Sequence, residues 1–504
     1  MQSYASRRLR PAFSGSARKQ NAYFYQMSLP QAVLPPSHCD EQTDLHHYLD
    51  DLISHSKRTN QSHYLSVTLE TDYSDPLAIL EEIHIDESPV CYLEKPSKEF
   101  SIAAGEYLTV RRFSGEDRFL KGKEWAENTF RKIQVAGDNR VPGTGPTLFI
   151  SATFENEPSE SEQIPPLEVF LPRWQVVRKE GSNFIILNFE ICPNSSTENI
   201  IGEFNDQISK IRGLRYNNKN ALDPKLIKVG NPKENYDYEE AVKKALDAIN
   251  KQKLSKIVLS RQLSFQTDSQ LPPFSIAHAL REKFSDCHTF CISQPNNGLM
   301  VGATPERLLR TSGNSFETEA LAGSAPRGLS AGKDAHWGKT LLGRDKEILE
   351  HKLVIQSILR RLSSIGIKNC EEGKSRILRL ANLQHAKTPL RAYPVTGIHP
   401  FEVLSALHPT PAMGGSPRDI ALPLVKKLEK APRGWYSGVM GWIDNRGRGE
   451  FVVPIRCGKI SSKKLTLYAG AGLVEGSIAK QEKKETDWKL QAMLEVITGR
   501  TNLP

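Results

Sequence analysis

The chain of 504 residues predicts an α+β fold with large, mainly antiparallel sheets that are flanked by helices. Short runs rich in β-branched and aromatic residues recur from residue 107 to residue 470, and they read as strands. Amphipathic patterns with a helical period separate some of these runs. No internal repeat with the period of a solenoid is present.

The elements follow from the pattern in order along the chain. Strands are predicted at 107–113, 147–154, 167–172, 183–189, 256–261, 290–293, 298–303, 449–457 and 464–470. Helices are predicted at 124–133, 197–212, 238–252 and 344–362, and a last helix carries the apolar positions 490–497.

Three zones divide the chain. Residues 1–44 are predicted to be a flexible basic lead, because their first 39 residues carry arginine and serine but no acidic residue. Residues 45–235 are predicted to form an N-terminal α+β region of strands and loops, and residues 236–504 are predicted to form a second region with a tighter pattern of helices and strands. The lead resembles an organellar transit peptide in composition, although a disordered tail or an upstream start codon fits as well. We therefore expect a cytoplasmic protein, or one of the plastid stroma if the lead is a transit peptide.

Composition excludes several classes of function. The net charge of +9 is spread along the chain and interleaved with acidic residues, so we expect no nucleic-acid partner. No apolar run reaches the roughly 18 residues that a membrane-spanning helix needs, so no membrane partner is expected either. The seven cysteines are scattered without metal-ligand spacing, which favours reduced thiols in a cytosol-like compartment.

Two predicted helices carry paired carboxylates. Glu482, Glu485 and Lys489 stand at i, i+3 and i+7 and so share one face beside the apolar stripe. Upstream, Glu347 and Glu350 stand one turn apart, away from the apolar stripe of their helix. Mg²⁺ prefers oxygen ligands and takes one or two protein carboxylates directly, so two such pairs suit a magnesium site if the helices meet. The alternative is two solvated Glu/Lys faces with weak ion pairs.

Three further segments suit chemistry. Lys256 enters a strand, where it serves as a base only if burial or nearby positive charge disfavours its charged form; otherwise it snorkels at the strand end. Glu306 follows a proline at a strand-to-turn corner, either as a helix N-terminal residue or as a general acid held protonated in an apolar pocket. Residues 319–328 are predicted to form a small-residue loop, for close approach to a ligand or for a tight turn.

Eight motifs occur in order from about Tyr236 to the C-terminus. They are Lys-Ile-Val-Leu-Ser-Arg (256–261), Thr-Pro-Glu-Arg (304–307), Glu-Ala-Leu-Ala-Gly-Ser (319–324), Lys-Glu-Ile-Leu-Glu-His (346–351), His-Pro-Thr-Pro-Ala (408–412), Pro-Arg-Gly-Trp-Tyr-Ser-Gly (432–438), Ile-Arg-Cys (455–457) and Gly-Ala-Gly-Leu-Val-Glu-Gly-Ser (470–477). With them the chain resembles the chorismate-utilising enzymes, the group of isochorismate, salicylate, anthranilate and aminodeoxychorismate synthases. The resemblance implies an anthranilate synthase component I-like chorismate-binding fold, chorismate as the small-molecule substrate and Mg²⁺ as the cofactor.

The resemblance also implies a role for each motif residue. Lys256 corresponds to the residue that activates water, and Glu306 to the proton donor for the departing 4-hydroxyl. Glu350 and Glu485 correspond to direct magnesium ligands, with Glu347 behind Glu350 and not bound to the ion itself, and Glu482 as a water-linked neighbour of Glu485. The implied substrate-binding residues are Ser324, His385, Ala412, Tyr436, Arg456, Gly470, Gly472 and Lys489.

Three positions bear on the reaction within the family. Lys256 favours water over ammonia as the nucleophile, and Ala322 stands where the aminodeoxychorismate type carries a covalent lysine. Ala412 stands where salicylate-forming members tend to have threonine, which favours release of isochorismate. The alternatives are a salicylate synthase that goes on to eliminate pyruvate and a catalytically inactive chorismate-binding scaffold. Residues 432–438 and 171–175 resemble the menaquinone or phylloquinone branch, with salicylate or siderophore synthesis as the other pathway, and we expect a monomer.

Overall fold

The computed structural model confirms the α+β prediction of antiparallel sheets flanked by helices. It describes residues 41–72, 74–85, 87–159, 163–214, 227, 229–343, 345–381, 383–393 and 397–499, the side chains of 41–44 and 345–347 excepted. All of these residues belong to one compact unit. Residues 1–40 of the predicted lead lie outside the described residues, and the first helix begins at Glu41, inside the predicted lead of residues 1–44.

Eleven α-helices are present in the described part of the chain. They are α1 (Glu41–Thr59), α2 (Pro76–Ile83), α3 (Arg118–Arg131), α4 (Thr197–Arg212), α5 (Tyr238–Asn250), α6 (Pro273–Lys283), α7 (Ala331–Gly343), α8 (Asp345–Ser364), α9 (Pro400–Leu407), α10 (Arg418–Leu428) and α11 (Ala479–Thr498). None of these helices has both the length and the apolar character that crossing a lipid bilayer requires.

The strands alternate with these helices without a regular period. They are β1 (His63–Thr71), β2 (Val90–Lys95), β3 (Phe100–Phe113), β4 (Ile133–Ala136), β5 (Thr147–Ala152), β6 (Leu167–Lys179), β7 (Ser182–Ile191), β8 (Lys233–Glu234), β9 (Lys256–Gln266), β10 (His288–Ser293), β11 (Leu299–Thr304), β12 (Arg307–Ser312), β13 (Phe316–Pro326), β14 (Cys370–Glu372), β15 (Arg376–Arg379), β16 (Leu383–Ala392), β17 (Gly415–Ser416), β18 (Val439–Asp444), β19 (Arg448–Val452), β20 (Cys457–Ser461) and β21 (Lys464–Leu473).

The long strand β6 belongs to two branches of hydrogen-bonded strands, and in the first branch it pairs with the long strand β3. One branch runs β4-β1-β7-β6-β3-β2-β10-β11-β20-β21-β9, and the other runs β6-β5-β18-β19-β12-β13-β16. Every one of these pairings is antiparallel except β1–β4. The β2–β10 and β5–β18 pairings connect residues 45–235 to residues 236–504 within one hydrogen-bonded system, while the predicted boundary at 235 stays a prediction.

The apolar residues of the two branches form a shared core. A cluster that includes Phe149 and Trp442 of one branch and Phe290 and Met300 of the other packs between them. Helices such as α2, α6 and α11 cover the first branch, and helices such as α8 and α9 cover the second. The elements that carry the eight motifs are therefore held by a continuous apolar interior.

Two local predictions were wrong. The strand predicted at 449–457 is two strands, β19 and β20, because Pro454 lacks a backbone N–H and Arg456 adopts a left-handed φ of 52°. The loop predicted at 319–328 is largely strand β13, and its small residues accommodate a bulge at Gly323, where φ is 75° and the register with β16 shifts.

Candidate active site

One cavity, which we call the central cavity, is lined by strands, connecting segments and helices from both branches. Lys256 and Val258 of β9, Gly470 and Gly472 of β21, Glu350 of α8, and Glu485 and Lys489 of α11 all line it. The remaining predicted site residues that line it are Glu306, Ser324, His385, Ala412, Tyr436 and Arg456, and Ala322, which was singled out for the reaction type, lines it as well. The structure thus brings together twelve of the fourteen predicted site residues; of the other two, Glu482 does not line the cavity and the side chain of Glu347 lies outside the described residues.

Lys256 lies at the start of β9 and is 1% exposed, so the solvated alternative for this lysine was wrong. Its Nζ donates to Oε1 of Glu350 at 2.9 Å, which connects the first strand motif to α8. Gly472 makes this approach possible, because a Cβ at that position would lie 2.7 Å from Glu350 Oε1 and 3.2 Å from Lys256 Cε. Gly472 of the 470–477 motif therefore serves close packing against the charged pair.

Glu306 sits in the connection between β11 and β12, so the helix N-terminal alternative was wrong. Its backbone is fixed on both sides, because its N–H donates to Thr304 Oγ1 at 3.1 Å and its carbonyl accepts from Val453 N at 3.1 Å. The side chain is buried, and burial together with the nearby Glu319 carboxylate raises the pKa of Glu306 to about 8. At neutral pH this carboxyl is thus protonated and able to donate.

His385 connects the β13 bulge to Arg456. The carbonyl of Gly323 lies 3.0 Å from His385 Nδ1, so Nδ1 must carry the proton and Nε2 must accept. Arg456 Nη2 donates to that Nε2 at 3.2 Å. Burial and the Arg456 charge lower the pKa of His385 to about 3, so the imidazole is neutral at physiological pH. The histidine is therefore arranged to orient the guanidinium, which forms no ion pair with any described carboxylate.

On the β21 side of the cavity, a lysine ammonium group and a tyrosine hydroxyl lie close to the backbone of the strand. Lys489 Nζ donates to the Gly470 carbonyl at 2.7 Å and lies 2.7 Å from Glu485 Oε1. Tyr436 stacks on Tyr468 with ring centroids 5.3 Å apart, and its hydroxyl would lie 3.2 Å from a Cβ at Gly470. Because β21 carries small residues here, the Tyr436 hydroxyl and the Lys489 ammonium group can both approach the strand on the same side of the cavity.

A buried ion pair behind the cavity holds three of its segments together. Arg433 donates to both carboxylate oxygens of Glu429 at 2.9 and 2.6 Å, to the Met413 carbonyl at 2.8 Å and to the Val258 carbonyl at 2.8 Å. Glu429 also accepts from the backbone N–H and the hydroxyl of Ser260. This pair therefore links β9, the segment that carries Ala412, and the turn that carries Tyr436.

The carboxylates of the cavity are chemically suited to a divalent cation. Glu350 and Glu485 both face the cavity from different helices, and Mg²⁺ takes one or two protein carboxylates and completes its shell with water. Glu482 is buried one turn before Glu485, and both carboxylates add to the effect of burial in raising the pKa of Tyr238. Within the described residues, no group of three or more His, Cys, Asp or Glu side chains is placed to hold a metal, so a bound ion would depend on water or substrate for further ligands.

Several lining residues were not predicted from the sequence. They are Val258, Pro305, Leu321, Gly323, Met413, Ile455, Tyr468 and Ala469. Most are neighbours of a predicted residue within the same motif, so the motifs themselves were the available signal. Tyr468 lies just before its motif and faces the cavity because it alternates with Gly470 and Gly472 along β21.

Comparison with known proteins gives concordant matches. The sequence model of a family described as chorismate binding enzyme matches residues 50–498. The chain is 28% identical over 362 residues to the isochorismate synthase MenF of Bacillus subtilis, which covers 70% of this chain and 75% of that protein. It is 35% identical over 266 residues to the salicylate biosynthesis isochorismate synthase of Pseudomonas aeruginosa, and the aligned region covers 53% of this chain and 56% of that protein.

Solved structures show the same fold. MenF, the menaquinone-specific isochorismate synthase from Escherichia coli, superposes with a TM-score of 0.72 at 22% identity and covers 90% of this chain and 99% of its own. Anthranilate synthase component I from Streptococcus pneumoniae superposes with a TM-score of 0.65 at 19% identity, covering 79% and 92%. The predicted anthranilate synthase component I-like fold is thereby confirmed.

Proposed function

This chain belongs to the family of chorismate-binding enzymes, and we propose that it is a magnesium-dependent isochorismate synthase. In the proposed reaction, water adds at C2 of chorismate and the 4-hydroxyl leaves as water, so the net change is an isomerisation. The observation that carries the proposal is that Lys256 and Glu306 line one cavity together with Glu350, Glu485 and Arg456.

Lys256 is proposed to act as the base that takes a proton from the attacking water. The amine must be neutral to do so, and the side chain that carries it is buried beside the cavity. Lys256 Nζ donates to Glu350 Oε1 at 2.9 Å, so the proposed base and a proposed metal ligand share one contact at the cavity.

Glu306 is proposed to donate the proton that the departing 4-hydroxyl needs. Its raised pKa keeps the carboxyl protonated at neutral pH, and no described cation forms an ion pair with it. Because the proton is lost at C2 and gained at C4, the base and the acid must approach different faces of the substrate ring.

The two carboxylates of chorismate need positive partners. Arg456, held by His385, and Lys489 supply cations, and Tyr436 supplies a hydroxyl. We propose that Glu350 and Glu485 hold Mg²⁺, with Glu347 and Glu482 acting through water, and that the bound ion supplies positive charge beside one substrate carboxylate. These positive groups, largely shielded from water, favour an anionic ligand such as chorismate.

Release of isochorismate is proposed over pyruvate elimination because Ala412, a small apolar residue, lines the cavity. We further propose that the product enters the menaquinone or phylloquinone branch, which residues 432–438 and 171–175 resemble. We also propose that the protein is a monomer in the cytoplasm, or in the plastid stroma if the lead is a transit peptide.

Product analysis tests the function. Incubation of the protein with chorismate and Mg²⁺, followed by chromatography, is expected to yield isochorismate, and removal of metal by a chelator is expected to abolish it. Salicylate with pyruvate would instead indicate the lyase alternative. Absence of any conversion alongside retained chorismate binding would indicate a non-catalytic scaffold.

A further inference from the structure

A second buried carboxylate lies behind the proposed acid. Glu319 is on β13 and is 6% exposed, and its Oε1 accepts from the backbone N–H of Arg307, the residue after Glu306, at 3.3 Å. Glu319 does not line the central cavity, whereas Glu306 does. The Glu319 carboxylate therefore lies against the backbone of the residue that follows Glu306, on the side away from the cavity.

The two carboxyl groups differ in their partners. Glu319 forms an ion pair with Lys387 of β16 and lies 3.8 Å from Arg307 Nη2. Glu306 forms no ion pair within the described residues. Lys387 and Arg307 thus give Glu319 cationic partners that Glu306 lacks among the described residues.

Charged groups from five elements bear on Glu306. Lys256 of β9, Arg456 of the β19–β20 connection and Lys489 of α11 favour its ionised form, whereas burial and Glu319 of β13 oppose them. Glu350 of α8 and Glu485 of α11 line the same cavity, and each pairs with one of the two lysines. Glu319 is therefore the carboxylate that acts on Glu306 from behind the cavity.

We propose that Glu319, which does not contact the substrate, is a positioning residue that keeps the Glu306 carboxyl protonated and ready to donate. This inference rests on the proposed role of Glu306 as the acid. The Glu319–Lys387 ion pair is then more than a structural contact between β13 and β16, because its negative end sets the protonation of a cavity residue.

The pH dependence of kcat/KM tests the proposal. In the unmodified enzyme, activity is expected to fall as pH rises through about 8, because Glu306 loses its proton there. Glu319→Gln removes the like charge and is expected to move this alkaline limb to lower pH by about one unit. Glu317→Gln is the matched control, since Glu317 lies on the same face of β13 and also lies near Arg307, but it stands opposite Arg310, further from Glu306 along β12. Its limb is expected to stay in place.

Infrared spectroscopy provides a readout that does not depend on activity. In protein without added metal, the band of a protonated carboxyl that disappears in Glu306→Gln is expected to titrate at lower pH in Glu319→Gln. If Glu319→Gln does not fold because Lys387 is left unpaired, Glu319→Gln/Lys387→Gln removes both charges and is expected to show the same direction. An unshifted band and limb in the folded variant overturn the proposal. If the unmodified protein forms no isochorismate, the proposed function fails while the infrared titration still decides the role of Glu319.

Discussion

Two buried ion pairs, Arg433–Glu429 and Lys256–Glu350, differ in how fully their polar atoms are hydrogen-bonded. The Arg433–Glu429 pair is enclosed, with side chains 1% and 5% exposed, and further hydrogen bonds to Met413, Val258 and Ser260 satisfy its charged atoms. The Arg433 guanidinium also lies 4.0 Å from the centroid of the Phe154 ring. Such complete satisfaction suits a rigid structural contact.

The Lys256–Glu350 pair has one described hydrogen bond and borders the central cavity. Its remaining donor and acceptor capacity therefore faces the central cavity. Burial of charge alone does not distinguish the two pairs. The proposed site rests on charge that is buried, incompletely paired and beside a cavity.

The largest expected effect concerns the incompletely paired groups. Lys256→Ala and Glu306→Gln are each expected to lower turnover by about 10²–10⁴, the usual contribution of one acid–base group, while chorismate still binds. Steady-state kinetics and equilibrium binding measure the two quantities, with the exposed Lys253→Ala as control. Near-normal turnover of Lys256→Ala would contradict the mechanism and leave the fold unaffected.

The enclosed pair is expected to affect stability instead. Arg433→Met leaves the Glu429 charge buried without its partner and is expected to lower the free energy of unfolding by about 3–5 kcal/mol. Glu429→Gln/Arg433→Met removes both charges and is expected to recover part of this loss. Urea unfolding followed by circular dichroism measures both variants. A loss under about 1 kcal/mol for the single variant would remove the distinction between the two pairs.

Metal affinity is expected to change less. Glu485→Gln removes a charged ligand and is expected to weaken Mg²⁺ binding about tenfold or more in the presence of chorismate. Titration calorimetry measures the affinity, and Glu495→Gln, on the same helix but paired with Lys283, is the control. Undiminished Mg²⁺ affinity of the chorismate-bound Glu485→Gln enzyme is the result that would refute this ligand assignment.

The smallest effect is expected at an exposed pair. Lys251 and Asp247 lie 2.7 Å apart on the surface, each 61% exposed, and water and salt screen their attraction. Lys251→Ala is expected to change the free energy of unfolding by no more than about 0.5 kcal/mol. The urea assay used for Arg433→Met checks this, and a larger change would show that exposure is a poor guide to the worth of an ion pair here.

The amino-acid sequence by itself determined the class of fold and most of its elements. Helix α4 was predicted at its observed residues, and strands β9, β10 and β11 were predicted within a few residues, because hydrophobic periodicity and turn residues act locally. Local signals failed where a tertiary contact decided the conformation, as at the Gly323 bulge, whose carbonyl bonds His385. The motifs named the residue types of the site, and their roles stay predictions.

Only the tertiary structure decided which of these residues meet. Glu350 and Glu485 lie on helices separated by more than a hundred residues, and no local pattern states that α8 and α11 face one cavity. The protonation of Glu306 likewise depends on burial and on Glu319, which reaches it only because β12 and β13 pair. Secondary structure is set by interactions between near neighbours in the chain, whereas a site is set by where distant segments pack, and the electrostatics of the site follow from that packing.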